Sequence, residues 1–154
     1  GRAIRFKPSL NQFQWLDLEQ GIIEVNVGTD IGDFMLKNSH GIFSYQLANS
    51  IDDVDMGVTD VVRGADLMTV TAAHLLIQQA IGGHSIRYRH LPLALTSAGE
   101  KLSKATNAPE VEAKDASHTL QRAFLHLGLG TIELDASIHM LDEALSKWPH
   151  RKKL

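Results

Sequence analysis

The sequence predicts an α/β fold in three stretches: a β-rich opening, a strand–helix–strand unit and a helical tail. Three observations carry that expectation. Apolar residues alternate with a period of two as far as Val27, the spacing changes to that of a helix face from Tyr45, and one helical run near 72–81 is flanked by two strand-like runs.

In the opening stretch Ile4 and Phe6 alternate with Arg5 and Lys7, then Phe13 and Trp15 repeat the pattern before Ile22, Ile23, Val25 and Val27. Gly21, Gly28, Gly32 and Asn38 supply the breaks between strands. Leu47, Ala48, Ile51 and Val54 then fall on one helical face that ends before Gly57. A strand at 58–62 follows. Thr71 is the expected N-cap of a helix over 72–81, closed by Gly82 and Gly83, and 86–95 again reads as a strand. This succession has the length of one parallel βαβ unit, whose crossover is expected to be right-handed. After a loop at 96–109, Leu120, Ala123, Phe124 and Leu127 make one helical stripe stopped by Gly128. Ile138, Leu141, Leu145 and Trp148 make another behind the cap candidate Asp135.

Composition narrows the chemistry. The 154 residues contain no cysteine, which excludes disulfides, thiolate zinc sites and cysteine nucleophiles together. A formal net charge of −3 gives no general electrostatic footprint for nucleic acid. It leaves the basic clusters Arg87, Arg89, His90 and His150, Arg151, Lys152, Lys153 as local contact candidates. Neither a signal peptide nor a bilayer-spanning run is present in the sequence, so the expectation is a cytoplasmic protein with no membrane partner. The missing start methionine points to a fragment.

Three places carry candidate chemistry. Gly99-Glu100-Lys101-Leu102-Ser103-Lys104 sets two lysines and a serine on a loop beyond a strand, where they can close over a polyphosphate; the alternative is a solvated turn. Arg63, at a strand end before Gly64, can fork onto a carboxylate while the glycine lets backbone approach a nucleotide. The alternative is an arginine paired with Asp52, Asp53 or Asp66. Tyr45, at a helix start, can hold a carboxylate or amine through its hydroxyl, or can be a half-buried core tyrosine. No His-x-x-x-His or His-Glu-x-x-His pattern occurs, so the histidines, including His74, His118, His126 and His139, are expected to be structural and no metal site is expected. Asp52-Asp53 is read as structural too.

The ordered set Asp33-Phe34-Met35-Leu36, Gly41-Ile42-Phe43-Ser44-Tyr45-Gln46-Leu47-Ala48, Asp52-Asp53, Gly57-Val58-Thr59, Val62-Arg63-Gly64-Ala65-Asp66-Leu67, His90-Leu91-Pro92-Leu93 and Lys101-Leu102-Ser103-Lys104 resembles the glutamyl-tRNA synthetase-like class I enzymes. Arg-Gly-Ala-Asp-Leu, and Lys-Leu-Ser-Lys followed by Asn107-Ala108-Pro109, are similar to the glutamyl-queuosine tRNA(Asp) synthetase branch. The resemblance implies an α/β fold that is the second half of a class I synthetase nucleotide-binding fold. The expected divisions are 1–55, the β-rich end of an inserted acceptor-type subdomain; 56–109, the second half of the nucleotide-binding fold with its lysine loop; and 110–154, a helical segment.

It further implies that Tyr45 and Arg63 bind glutamate, that Lys101, Ser103, Lys104 and Gly64 bind ATP, and that Lys104 is catalytic. ATP with magnesium would be the co-substrate and tRNA(Asp) bearing queuosine the acceptor. The family's His-Ile-Gly-His-like motif, its amino-group ligands and its Cys-rich zinc site have no equivalent among these residues, so the chain alone is expected to be inactive. The alternatives are a fragment of a conventional glutamyl-tRNA synthetase, or a noncatalytic binding module descended from one.

Overall fold

The computed structural model describes residues 1–106 and 108–150, the side chain of His150 excepted. Asn107 and most of the basic cluster His150, Arg151, Lys152, Lys153 therefore lie outside the described residues. The chain divides into two compact units, Gly1–Leu91 and Pro92–Leu154.

In the first unit, β1 (Ile4–Phe6) pairs antiparallel with β4 (Phe34–Lys37), and the rings of Phe6 and Phe34 stack across the pair 5.1 Å apart. The hairpin of β2 (Gln12–Asp17) and β3 (Gly21–Asn26) belongs to a second sheet, whose order is β3-β2-β6-β5. Gly21 turns that hairpin at φ 83°, a left-handed conformation that glycine takes without penalty. Past β3, the Asn26 side chain accepts from the N–H groups of Gly28 and Thr29, capping the single wide helical turn Val27–Ile31.

Helix α1 (Tyr45–Asp55) begins at Ser44, whose Oγ accepts from the Leu47 N–H, the ordinary chemistry of an N-cap. Its buried side is centred on Ser50, fully enclosed, while Ile51 and Ala48 of the expected face turn outward. A small residue there lets α1 approach α2 (Met68–Ala80), and the Ser50 hydroxyl lies 3.4 Å from the His74 carbonyl oxygen.

Strands β5 (Asp60–Gly64) and β6 (Arg87–Leu91) run parallel over five aligned pairs, from Asp60–Arg87 to Gly64–Leu91. With α2 between them they form the expected βαβ unit. Its elements differ in detail from the sequence reading. β5 starts two residues later than 58, and α2 begins at Met68, a turn before Thr71. Thr71 is no cap: it is wholly buried inside the helix, and its hydroxyl donates back to the Leu67 carbonyl at 3.1 Å. Polar partners from the sheet hold it there, and an N-cap pattern cannot register them.

The second unit contains α3 (Ala116–His126) and α4 (Ser137–Lys147) packed around Phe124, Leu129, Ile132, Met140 and Ala144. The α4 stripe expected from spacing is reversed, because Ile138, Leu141 and Leu145 are exposed and Met140 with Ala144 face the core. Residues 129–132 between the helices fill that core and so select which side of α4 turns inward. No helix among the described residues is long and apolar enough to cross a membrane.

Candidate functional site

Polar residues gather where β5 and β6 end against α2, in the first unit. Alternation on β6 turns Tyr88 and His90 to the same face, their rings stacked 6.1 Å apart, and on β2 it brings Asp17 to the side of Phe13 and Trp15. Asp17, Thr71, His74, Tyr88 and His90 are all at most 1% exposed. Buried polar groups must bond to one another or cost several kcal/mol each, roughly 1–3 kcal/mol by mutational scales.

They converge on Arg63. Its Nε donates to His90 Nε2 at 3.1 Å, one Nη2 hydrogen goes to Thr71 Oγ1, and the other faces the Leu67 carbonyl at 3.4 Å. Nη1 lies 3.3 Å from His74 Nδ1, and the guanidinium carbon sits 5.1 Å above the Tyr88 ring. This clasp of two imidazoles, a hydroxyl and a carbonyl occupies the place where the sequence allowed an aspartate partner. Asp53 and Asp17 act on Arg63 through charge, opposing the burial that lowers its pKa. Arginine stays charged even so. Of its five N–H bonds, four point at these partners, which leaves one on Nη1 for a ligand.

His74 is pushed down to about 4, first by burial and then by the Arg63 charge, so at neutral pH it is an uncharged acceptor toward Arg63. Its Nε2 has no hydrogen-bond partner among the described residues. Burial works against ionised Asp17 as well, but N–H bonds from Gln20, Glu19 and His90 and the bond to the His90 ring outweigh it and lower its pKa. Burial raises Tyr88, whose hydroxyl accepts from Gln78 Nε2 at 3.0 Å.

Tyr45, the first residue of α1, is 58% exposed, which sets aside the core-tyrosine alternative. Its ring lies 5.7 Å from the His74 ring, so Tyr45 and Arg63 flank the same imidazole. Gly64 closes β5 opposite Leu91, in ordinary extended backbone at φ −71°. Desolvation also raises Asp53, against the pull of Arg63.

The lysine segment belongs to the second unit and is a small hairpin more than an irregular loop. Leu95 bridges Lys101, the Leu102 N–H donates to the Ala94 carbonyl at 2.8 Å, and Gly99 makes the turn at φ 83°. Lys101, Leu102 and Lys104 are exposed and Ser103 is half-buried. Lys104 opens a single turn, Lys104–Thr106, that is braced by the Ser103 N–H donating to Thr106 Oγ1 at 2.9 Å.

The expected basic surface on β6 is altered by its partners. Arg87 pairs with Asp60 at 2.7 Å, Arg89 with the buried Glu19 at 2.8 Å, and His90 is fully enclosed. Sequence reasoning found Arg63 and Tyr45 but missed Asp17, Thr71, His74 and His90 as its supports. One signal was available for Asp17, a carboxylate on the apolar parity of a strand. A family-type zinc site does not fit this donor set, since the sequence has no cysteine and no three His, Asp or Glu residues converge among the described residues.

Comparison with known proteins agrees with this architecture. The family model for the catalytic domain of class I tRNA synthetases (E and Q) matches residues 2–131. The glutamyl-Q tRNA(Asp) synthetase of Chromobacterium violaceum is 42% identical over 83% of this chain and 43% of its own length. That of Acinetobacter baylyi is 37% identical over 99% of this chain and 54% of its own. The chain thus spans about half the length of the curated relatives it matches. A crystal structure of a glutamate tRNA ligase from Elizabethkingia meningosepticum, in complex with its amino acid, superposes with a TM-score of 0.61 at 36% identity, covering 67% of this chain and 21% of that one. Because the family match runs unbroken through the arginine clasp and the lysine hairpin, the chain belongs to the class I tRNA synthetases of the glutamate and glutamine type, within their catalytic domain.

Proposed function

We propose that this chain supplies the glutamate-binding side and the phosphate hairpin of an ATP-dependent ligase that transfers glutamate to queuosine in the anticodon of tRNA(Asp). The observation that carries this reading is the pairing of Tyr45 and Arg63 around one buried, neutral imidazole. An exposed phenol and a partly buried guanidinium with one free N–H are suited to a small carboxylate, and the neutral clasp leaves the arginine's charge uncancelled at close range. Tyr45 and Arg63 hold the glutamate, and Gly64 lets the nucleotide approach the end of β5.

In the first step a glutamate carboxylate oxygen attacks the α-phosphorus of ATP, forming glutamyl adenylate and releasing pyrophosphate. Lys101, Ser103 and Lys104 meet the phosphates, to which magnesium comes bound as part of the substrate, and Lys104 offsets the charge that moves onto the leaving pyrophosphate. In the second step a hydroxyl of the queuosine cyclopentene diol attacks the glutamyl carbonyl and AMP leaves. Such chemistry depends on positioning and electrostatics more than on proton transfer.

The likeness to a glutamate tRNA ligase at TM-score 0.61 favours one other reading, a conventional enzyme that charges tRNA(Glu). Labelled glutamate separates the two. The chain is completed by joining it behind the preceding half of the Chromobacterium violaceum relative, then given tRNA(Asp) with queuosine, tRNA(Asp) without it, and tRNA(Glu). Label only on the queuosine-bearing tRNA(Asp) is expected, and label on tRNA(Glu) would overturn the proposal in favour of the second reading.

A further inference from the structure

The bonds around Arg63 can be ordered by their protons. Arg63 Nε carries one hydrogen and gives it to His90 Nε2 at 3.1 Å, so that nitrogen is an acceptor. The ring proton of His90 is then on Nδ1, facing Asp17 Oδ2 at 2.6 Å. Thr71 Oγ1 stands 2.9 Å from the same Nε2, accepts from Arg63 Nη2, and sends its own proton to Leu67 O. Asp17 has no freedom to turn. Its Oδ1 accepts from the backbone N–H groups of Glu19 and Gln20, each at 2.9 Å, and of His90 at 3.2 Å.

We propose that Asp17 is a positioning residue for substrate binding: it fixes the proton of His90 on Nδ1 and so leaves Nε2 as the acceptor that aims Arg63. The inference rests on Arg63 being a glutamate ligand, as proposed above. It assigns a task to a carboxylate that the substrate never touches.

A purely space-filling role makes a different forecast for Asp17→Asn, because the two side chains have one shape. Three backbone donors hold the amide oxygen of the asparagine at the Oδ1 position, which turns its NH2 toward His90 Nδ1. That nitrogen must then accept, the ring proton moves to Nε2, and an N–H meets the Arg63 N–H head on. The arginine loses its aim although no volume has changed.

The test uses the 154-residue chain labelled with nitrogen-15. Two-bond proton–nitrogen spectra report the His90 tautomer, and the Arg63 Nε–H signal is followed as L-glutamate is added. Wild type is expected to show the Nδ1–H form. Asp17→Asn is expected to show the Nε2–H form, a displaced Arg63 signal, and an apparent Kd for glutamate raised about tenfold, the scale of one lost charged hydrogen bond. A wild-type ring protonated on Nε2 overturns the proposal whether or not the variant folds. So does a variant whose tautomer or Kd is unchanged. A wild-type Arg63 signal blind to glutamate, with both tautomers as stated, instead counts against the substrate role of Arg63 and therefore against the proposed function.

Discussion

His74 shows most clearly how one residue links stability to the site. Held near 4 by burial and by Arg63, it titrates near 6.5 once unfolded. Between those values the unfolded chain binds more protons than the folded one, so stability falls as pH falls through about 6.5 toward 4. The full effect is on the order of 3 kcal/mol. His74→Gln keeps an acceptor for Arg63 and removes the titration. Urea unfolding at pH 7 and at pH 4.5 is expected to show a stability loss about 2 kcal/mol smaller in the variant than in wild type. Equal losses would mean that His74 does not carry this dependence. Other carboxylates titrate alike in both proteins and cancel.

At the scale of elements, two contacts decide the packing and both can be checked. A Cβ on Gly83 would stand 2.7 Å from Val54 Cγ2 on α1 and 3.0 Å from the Gln78 carbonyl of α2, closer than the helices can accommodate. Gly83→Ala is therefore expected to cost about 1–3 kcal/mol in thermal unfolding. Val54→Ala in the same molecule should recover part of it, and strict additivity would contradict the clash. On α4, Met140 is 1% exposed and Leu145 is 71% exposed. Met140→Ala should cost about 2–5 kcal/mol and Leu145→Ala about 0.5 kcal/mol or less, and comparable losses would restore the stripe read from spacing.

The same elements show what the sequence could tell. Alternation located the hairpin of β2 and β3, and the helix between two strand runs gave the parallel βαβ unit. Spacing failed on α4 because apolar residues occur on both sides of it, and only the core at Phe124, Leu129 and Ile132 selects one. It also failed at Thr71, where a cap-like residue is recruited into a polar cluster built from strands far away in sequence. Arg63 and Tyr45 were legible because a strand end and a helix start are recognisable places. Asp17 and His90 are 73 residues apart, and their bond is a product of the fold.

For the whole molecule, the central claim is that these residues hold one part of a glutamate-activating site: the arginine clasp in the first unit and the phosphate hairpin in the second. Since the chain spans 43% and 54% of two relatives, the remaining contacts to glutamate and ATP are assigned to segments outside it. Glutamate-dependent ATP–pyrophosphate exchange tests this most directly, on the chain alone and on the chain completed with the preceding half of the Chromobacterium violaceum relative. The account predicts no exchange by the chain alone, exchange by the completed protein, and a rate about a hundredfold lower there for Lys104→Ala with glutamate binding little changed. Robust exchange by the 154-residue chain alone, or none by the completed protein with any amino acid, would contradict it.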